Sequence, residues 1–188
     1  VAPWFLFFVA IEHLGKTELA ISNITRSVSA IFFVIANSFA VTTSSLVSNA
    51  IGARARNELF PICHKVLKLG YAVGIPFVVV ALLCNRWIVS FYTDNELLIE
   101  LAFAPFVVML LNYTFALPGY VYLNAVGGTG KTKITFLFQV TTTCVYLVYL
   151  YWLSFCIKAS LSLYLTAEYL FVILLALQSI IHLKSKHY

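Results

Sequence analysis

The feature that most constrains this chain is the length of its segments without a single charged side chain. Five blocks lack Asp, Glu, Lys and Arg: residues 27–53, 69–85, 101–130, 134–157 and 169–181. A helix that crosses a bilayer needs about 20 predominantly apolar residues, and most of these blocks reach that length. Only 10% of the residues are charged, against about 25% in soluble domains. The sequence therefore predicts an all-α, polytopic transmembrane helical bundle.

The apolar blocks divide the chain into one truncated and five complete predicted spans. The opening segment is too short to cross a bilayer, and it lacks the basic start and cleavage site of a signal peptide. We therefore interpret it as the remainder of a span that the chain contains only in part, and the chain as a fragment. The predicted spans cover about 1–13, 27–51, 68–91, 101–124, 134–157 and 162–182.

The loops between these spans alternate in charge, and this alternation predicts the orientation of the chain. Lys16 and Lys158 lie in one set of loops. The other set and the C-terminal tail contain Arg54, Arg56, Lys65, Lys68, Lys131, Lys133, Lys184 and Lys186. Because Lys and Arg are enriched in cytoplasmic loops, we predict that the second set and the C-terminus are cytoplasmic. The net charge of +5 thus reflects topology, and we predict no nucleic-acid partner.

The segment 125-AVGGTGKT-132 is similar to a phosphate-binding loop. Such a loop requires a strand before it and a helix after it, whereas long apolar spans lie on both sides here. We predict a short cytoplasmic turn without nucleotide. In this turn Gly127, Gly128 and Gly130 allow the positive φ that a tight reversal needs.

The second span is rich in small polar side chains, which are costly when they face lipid. Asn37, Ser38, Thr42, Ser45 and Asn49 follow three- and four-residue spacing, so they share one helix face. One interpretation is close helix packing, because small hydroxyl residues let helices approach. The other is that Asn37 and Thr42 line a central cleft and bind substrate or cation.

The fourth span combines polar residues with a proline. Asn112 and Tyr113 are candidate substrate or cation contacts, and Pro118 with Gly119 predicts a structural kink. Since proline has no backbone N–H, one carbonyl in the preceding turn must find another donor inside the membrane. Interrupted spans are where transporters often build binding sites, although a static kink explains the same residues.

The last span contains Glu168 about two turns from its outer end. A carboxylate inside a membrane is a functional hypothesis by default, because it can carry a proton or hold a cation. The alternative is that Glu168 lies at the interface or pairs with a basic group such as Lys158. No paired carboxylates, His-x-x-x-His motif or nucleophile elbow accompanies it, and the four cysteines lack metal-ligand spacing. We therefore predict no enzyme activity, no metal and no cofactor.

Four segments resemble the C-terminal half of multidrug and toxic-compound extrusion (MATE) transporters, in the right order and spacing. They are 14-LGKTELAISNI-24, 48-SNAIGARARNEL-59, 91-FYTDNELLIELA-102 and 124-NAVGGTGKTKIT-135. A fifth, 164-YLTAEYL-170, is similar to the Trp-x-x-Glu-x-x-Tyr start of the last helix in a bacterial subgroup. The resemblance raises interest in Glu168 without assigning its role.

The resemblance implies a twelve-helix transporter of two lobes, of which residues 1–188 form the C-terminal lobe. It implies an antiporter in a bacterial inner membrane that exports organic cations or drugs in exchange for H⁺ or Na⁺. Its partners are then the bilayer, a small organic cation and the N-terminal lobe of the same chain. Some branches bind sodium through an acid near the position of Ala116, and that site is not expected here.

Two alternatives remain open from the sequence. The same superfamily contains lipid-linked oligosaccharide flippases, whose clefts tend to contain basic residues for pyrophosphate, and Arg26 is the one such residue here that could enter a cleft. The chain could also belong to a membrane scaffold that transports nothing.

Overall fold

A computed structural model describes residues 7, 8, 11, 15–154 and 160–185, and these residues form helices joined by short connections. Phe7, Phe8 and Ile11 are helical, and the rest of the first predicted span lies outside the described residues. A 3₁₀ turn at Arg56–Glu58 precedes α2. The α-helices are α1 (Lys16–Gly52), α2 (Leu59–Leu83), α3 (Asn85–Ser90), α4 (Glu96–Gly128), α5 (Thr132–Trp152) and α6 (Leu161–Ser185).

The described helices are long and apolar enough to cross a membrane at five places, as the sequence predicted. By length and composition the five spans are Lys16–Gly52, Arg56–Leu83, Glu96–Gly128, Thr132–Trp152 and Leu161–Ser185. The described part of the chain contains no strand, so the prediction of an all-α bundle is confirmed. Large hydrophobic side chains remain exposed along every span, as expected of helices that face lipid.

Two helices have bounds that differ by several residues from those of the predicted spans. The second span, expected from about residue 27, belongs to a helix that already begins at Lys16. The third, expected at about 68–91, is α2 ending at Leu83, followed by the separate short helix α3. Charged residues near a helix end do not stop the helix, because long side chains can reach the interface, so charge alone misplaced both boundaries.

Helix α4 lies at the centre of the bundle, where it packs against α1, α2 and α6 and touches α3 and α5. Its start is fixed by Asn95, whose side chain accepts a hydrogen bond from the Leu97 N–H at 3.0 Å. That bond satisfies one of the free donors at a helix start. Buried residues occur on every side of α4, which is typical of a helix surrounded by others.

The carbonyl that Pro118 leaves without a helical donor is satisfied by a neighbouring helix. The N–H at position 118 would bond to the Thr114 carbonyl, and proline has none. The Tyr71 hydroxyl of α2 donates to that carbonyl at 2.7 Å. Helix α4 continues through Pro118 and Gly119 to Gly128, so the span is not broken there. The kink itself stays a prediction.

Glycines in α4 mark its closest approaches to other helices. A Cβ at Gly119 would lie 2.7 Å from the Val172 carbonyl oxygen of α6, and one at Gly128 would lie 2.5 Å from the Ser44 carbonyl oxygen of α1. Such distances are shorter than van der Waals contact, so a side chain at either position would force the helices apart.

The turn between α4 and α5 is shorter than expected. The prediction of positive φ is wrong for Gly127 and Gly128, because both lie in the last turn of α4. Gly130 does have a positive φ, at 83°. Gly130 therefore allows the reversal of the chain, whereas Gly128 allows the close contact with Ser44 of α1.

Candidate functional site

A small cavity of about 40 Å³ lies among α1, α4 and α6. Its lining combines aromatic rings with a few polar side chains. The lining residues are Ser29, Phe32, Phe33, Ala36, Met109, Asn112, Tyr113, Ala116, Tyr120 and Glu168. A buried water requires roughly 10–15 Å³ by this measure, so the cavity has room for about three water-sized groups.

Glu168 brings a carboxylate to this cavity, and its side chain is 8% exposed. Among the residues that the structure describes it is the one buried acid. The Tyr146 hydroxyl of α5 donates a hydrogen bond to the Glu168 Oε1 at 3.3 Å. The helical spacing of α6 places Glu168 on the same side as the buried Leu165 and Val172, which turns the carboxylate inward. The bundle thus buries Glu168, and the alternative that it lies at the membrane interface stays a prediction.

Arg26 of α1 is also buried, at 5% exposure, and it interacts electrostatically with both Glu168 and Tyr146. Its guanidinium carbon lies 4.9 Å from the ring centroid of Phe7 and 4.5 Å from that of Phe8. Both distances are within the range of cation–π attraction. The basic neighbour of Glu168 in the described chain is thus Arg26, whereas the expected Lys158 lies outside the described residues.

Asn112 and Tyr113, two residues predicted from the fourth span, both line the cavity. The Asn112 Oδ1 is buried and accepts no hydrogen bond from any residue that the structure describes. The Tyr113 hydroxyl instead donates to the Gly70 carbonyl of α2 at 2.8 Å, so its ring, not its hydroxyl, is available to a ligand. The ring packs edge-on against Phe32 at 6.2 Å between centroids.

Asn37 and Thr42, the candidates from the second span, lie away from this cavity on an exposed face of α1. Thr42 donates to the Ser38 carbonyl one turn earlier, at 2.8 Å. Ser45 and Asn49 are exposed on the same face. We call Asn37, Ser38, Thr42, Ser45 and Asn49 the polar face of α1. Ser45 and Asn49 border an open pocket together with Gly127, Gly128 and Gly130, and the helix-packing interpretation of this face stays a prediction.

The sequence profile of the MatE family matches residues 4–153, which include all of helices α1 to α5. The chain belongs to the MatE family. The resemblance inferred from short motifs is therefore confirmed. No curated protein sequence matches the chain.

Two solved structures share the MatE fold with this chain. "Crystal structure of MATE in the bent conformation" is 18% identical with a TM-score of 0.82, covering 94% of this chain and 40% of its own. "Inward-facing conformation of a multidrug resistance MATE family transporter of the MOP superfamily" is 19% identical with a TM-score of 0.86, covering 99% and 42%. The chain thus spans less than half the length of these relatives. With its five candidate spans and its family, it is a multi-pass membrane protein.

Sequence reasoning missed that Arg26 belongs to the Glu168 site of this MatE lobe. The predicted span began after Arg26, and the sequence analysis considered Arg26 only as a basic residue that could enter a cleft. A usable signal was present around Arg26, where Ile21, Ile24 and Val28 follow three- and four-residue spacing. In the structure the helix begins at Lys16, which puts Arg26 in its third turn. No signal in the sequence identified Tyr146 as the donor to Glu168.

Proposed function

We propose that this chain is the C-terminal lobe of a secondary antiporter that exports organic cations in exchange for inward H⁺ or Na⁺ flow. The observation that supports this most directly is the buried Glu168 beside an aromatic cavity. A carboxylate attracts a positively charged group, and aromatic faces add cation–π attraction. Phe32, Phe33 and Tyr120 supply such faces here.

The polar face of α1 supports a second lobe. Polar groups that face hydrocarbon are expensive, yet all five residues of this face are exposed. The solved relatives are more than twice as long as this chain, so further chain is available to cover the face. We propose that it borders a water-filled cleft between two lobes, where Asn37 and Thr42 contact substrate in transit.

The coupling between ion and substrate follows from reciprocal binding. If a coupling ion and an organic cation both lower each other's affinity for the lobe, binding of one favours release of the other by the same factor. A membrane potential adds about 2.3 kcal/mol per charge per 100 mV. We place the lobe in a bacterial inner membrane with its C-terminus in the cytoplasm, so the potential drives the exchange in proportion to the net positive charge that enters in each cycle.

Arg26 makes the flippase alternative less favourable. A pyrophosphate site needs a cation that is free to bind the anion, whereas Arg26 is buried beside the carboxylate of Glu168 and the rings of Phe7 and Phe8. A non-transporting scaffold has no use for a buried acid beside a cavity. Export of a fluorescent organic cation separates the antiporter from the scaffold, and flipping of a labelled lipid-linked sugar in vesicles identifies a flippase.

The test uses the full-length protein in a bacterium without its own drug exporters. We expect Glu168→Gln to reduce export of a fluorescent organic cation by roughly tenfold, the order of a lost coupling interaction. Glu96→Gln is the matched control, because Glu96 is an exposed acid in the first turn of α4. Protein abundance in the membrane is measured for each variant. Wild-type export with an unchanged pH profile in Glu168→Gln would contradict the proposal.

A further inference from the structure

An open pocket of about 290 Å³ lies between α3 and the start of α4, and it shares no lining residue with the Glu168 cavity. Its lining consists of Asn85, Arg86, Ile99, Glu100 and Phe103. Arg86 and Glu100 bring opposite charges to the same pocket, and both side chains are exposed. Within the part of the chain that the structure describes, neither forms an ion pair. Both charges can therefore bind a ligand that itself carries one positive and one negative group.

The pocket belongs to the link between two candidate membrane spans, Arg56–Leu83 and Glu96–Gly128. Backbone that links two spans does not remain in hydrocarbon without hydrogen-bond partners, so the link lies at a membrane surface. Trp87 and Tyr92 of this link are 74% and 53% exposed. Exposed Trp and Tyr side chains are enriched at the level of the lipid headgroups. We therefore expect headgroups to surround this pocket.

The polar and apolar parts of the pocket are arranged in the same order as those of a phospholipid. The Asn85 Nδ2 donates to the Leu82 carbonyl at 2.6 Å, which leaves the Asn85 Oδ1 as an acceptor beside the charged pair. Phe103 follows Glu100 by one turn of α4, in the direction of the span, and its ring is exposed. A ligand with its head at Glu100 can thus extend an apolar chain along Phe103 into the membrane.

We infer that this pocket binds phosphatidylethanolamine, a phospholipid whose headgroup carries a phosphate and a primary ammonium. The phosphate accepts hydrogen bonds from the Arg86 guanidinium, whose planar fork suits phosphate oxygens. The ammonium donates hydrogen bonds to the Glu100 carboxylate and to the Asn85 Oδ1. An acyl chain of the lipid lies along Phe103. This inference does not depend on the proposed function, because it concerns lipid binding and not transport.

The same chemistry disfavours two other common phospholipids. Phosphatidylcholine has a quaternary ammonium without an N–H, so it leaves Glu100 and Asn85 without a donor. Phosphatidylglycerol has no positive group, so its phosphate would gain Arg86 but would lie beside the negative charge of Glu100. The pocket should therefore discriminate between headgroups and not merely attract anionic lipid.

The test compares binding of these three lipids, with identical acyl chains, to purified full-length protein by native mass spectrometry. We expect wild type to bind phosphatidylethanolamine roughly threefold to fivefold more tightly than the other two, the range of one exposed charged interaction. Arg86→Gln and Glu100→Gln should each remove this preference. Glu96→Gln is the matched control, since Glu96 is an exposed acid one turn earlier on α4 that does not line the pocket, and it should retain the preference.

A charge reversal tests the direction of the effect. Glu100→Lys places two positive charges at the pocket and should shift the preference to phosphatidylglycerol. Equal binding of the three lipids by wild type would overturn the inference, as would a preference for phosphatidylethanolamine that survives both Arg86→Gln and Glu100→Gln. If the two side chains served only to pair with each other, Glu100→Gln would lower Tm equally with every lipid and leave the order of lipid binding unchanged, which would also overturn it.

Discussion

The hydrogen bond from Tyr71 to the Thr114 carbonyl should stabilise the protein against unfolding much more when residue 118 is proline than when it is alanine. With Pro118 present, the Tyr71 hydroxyl is the donor that the structure gives to this carbonyl, at 2.7 Å. Thr114 is exposed on the bundle surface, so after Tyr71→Phe its carbonyl faces hydrocarbon without a partner. With Pro118→Ala, the restored N–H at position 118 bonds to the same carbonyl within α4.

The expected change in the free energy of unfolding follows from the hydrogen bond that the Thr114 carbonyl loses in Tyr71→Phe. An unsatisfied buried polar group costs about 1–3 kcal/mol, and hydrogen bonds between membrane helices average about 0.6 kcal/mol with a maximum near 1.7 kcal/mol. We expect Tyr71→Phe to lower the free energy of unfolding by about 1–2 kcal/mol when Pro118 is present. In the Pro118→Ala background the loss should be about 0.5 kcal/mol or less, which leaves a coupling energy of roughly 1 kcal/mol.

The assay is reversible unfolding of the full-length protein in mixed micelles, followed by far-ultraviolet circular dichroism for wild type, both single variants and the double variant. Tyr113→Phe is the matched control, since it removes a tyrosine–carbonyl bond between the same two helices. Its acceptor, the Gly70 carbonyl, retains a helical donor at Gly74, so it should show no coupling to Pro118→Ala. Equal losses for Tyr71→Phe in both backgrounds would refute the reasoning.

Two other substitutions test the packing and the turn. Gly119→Ala should lower the free energy of unfolding by about 1–3 kcal/mol, because its Cβ would lie 2.7 Å from the Val172 carbonyl oxygen. Gly52→Ala is the control, since a Cβ there meets nothing within 4 Å. Equal losses of stability in the two variants would exclude the close contact as the cause. Gly130→Ala should lower the free energy of unfolding by about 1 kcal/mol, because Gly130 has a φ of 83°. Gly130→Asn should lower it less, since Asn tolerates this conformation. The same unfolding assay checks both variants, and an unchanged stability of Gly130→Ala would mean that the turn can relax.

Several features of the site could be anticipated from single residues. A carboxylate in an apolar span is conspicuous, so Glu168 was identified from the sequence. A proline in a span implies an orphan carbonyl, so the need for a donor near Thr114 was also visible. The identity of that donor was not, because Tyr71 lies 43 residues away and any of several tyrosines could have supplied the hydroxyl.

The polar face of α1 shows where spacing alone is insufficient. The three- and four-residue spacing predicted that Asn37 and Thr42 belong to one face of α1. In the structure both side chains are exposed. Whether that face meets another helix, a cleft or the Glu168 cavity depends on how α1 is rotated against α4. This rotation is set by close contacts such as that between Ser44 and Gly128, which involve residues far apart in the chain.

The sequence by itself determined that this chain is a helical membrane bundle of the MatE family, because the length of apolar segments and local motifs are properties of consecutive residues. The tertiary structure decided which polar groups meet: Tyr146 with Glu168, and Tyr71 with the Thr114 carbonyl. Each pair joins two helices. Inside a membrane, where water cannot satisfy a buried charge or carbonyl, such partners come from helix packing, and no local pattern encodes them.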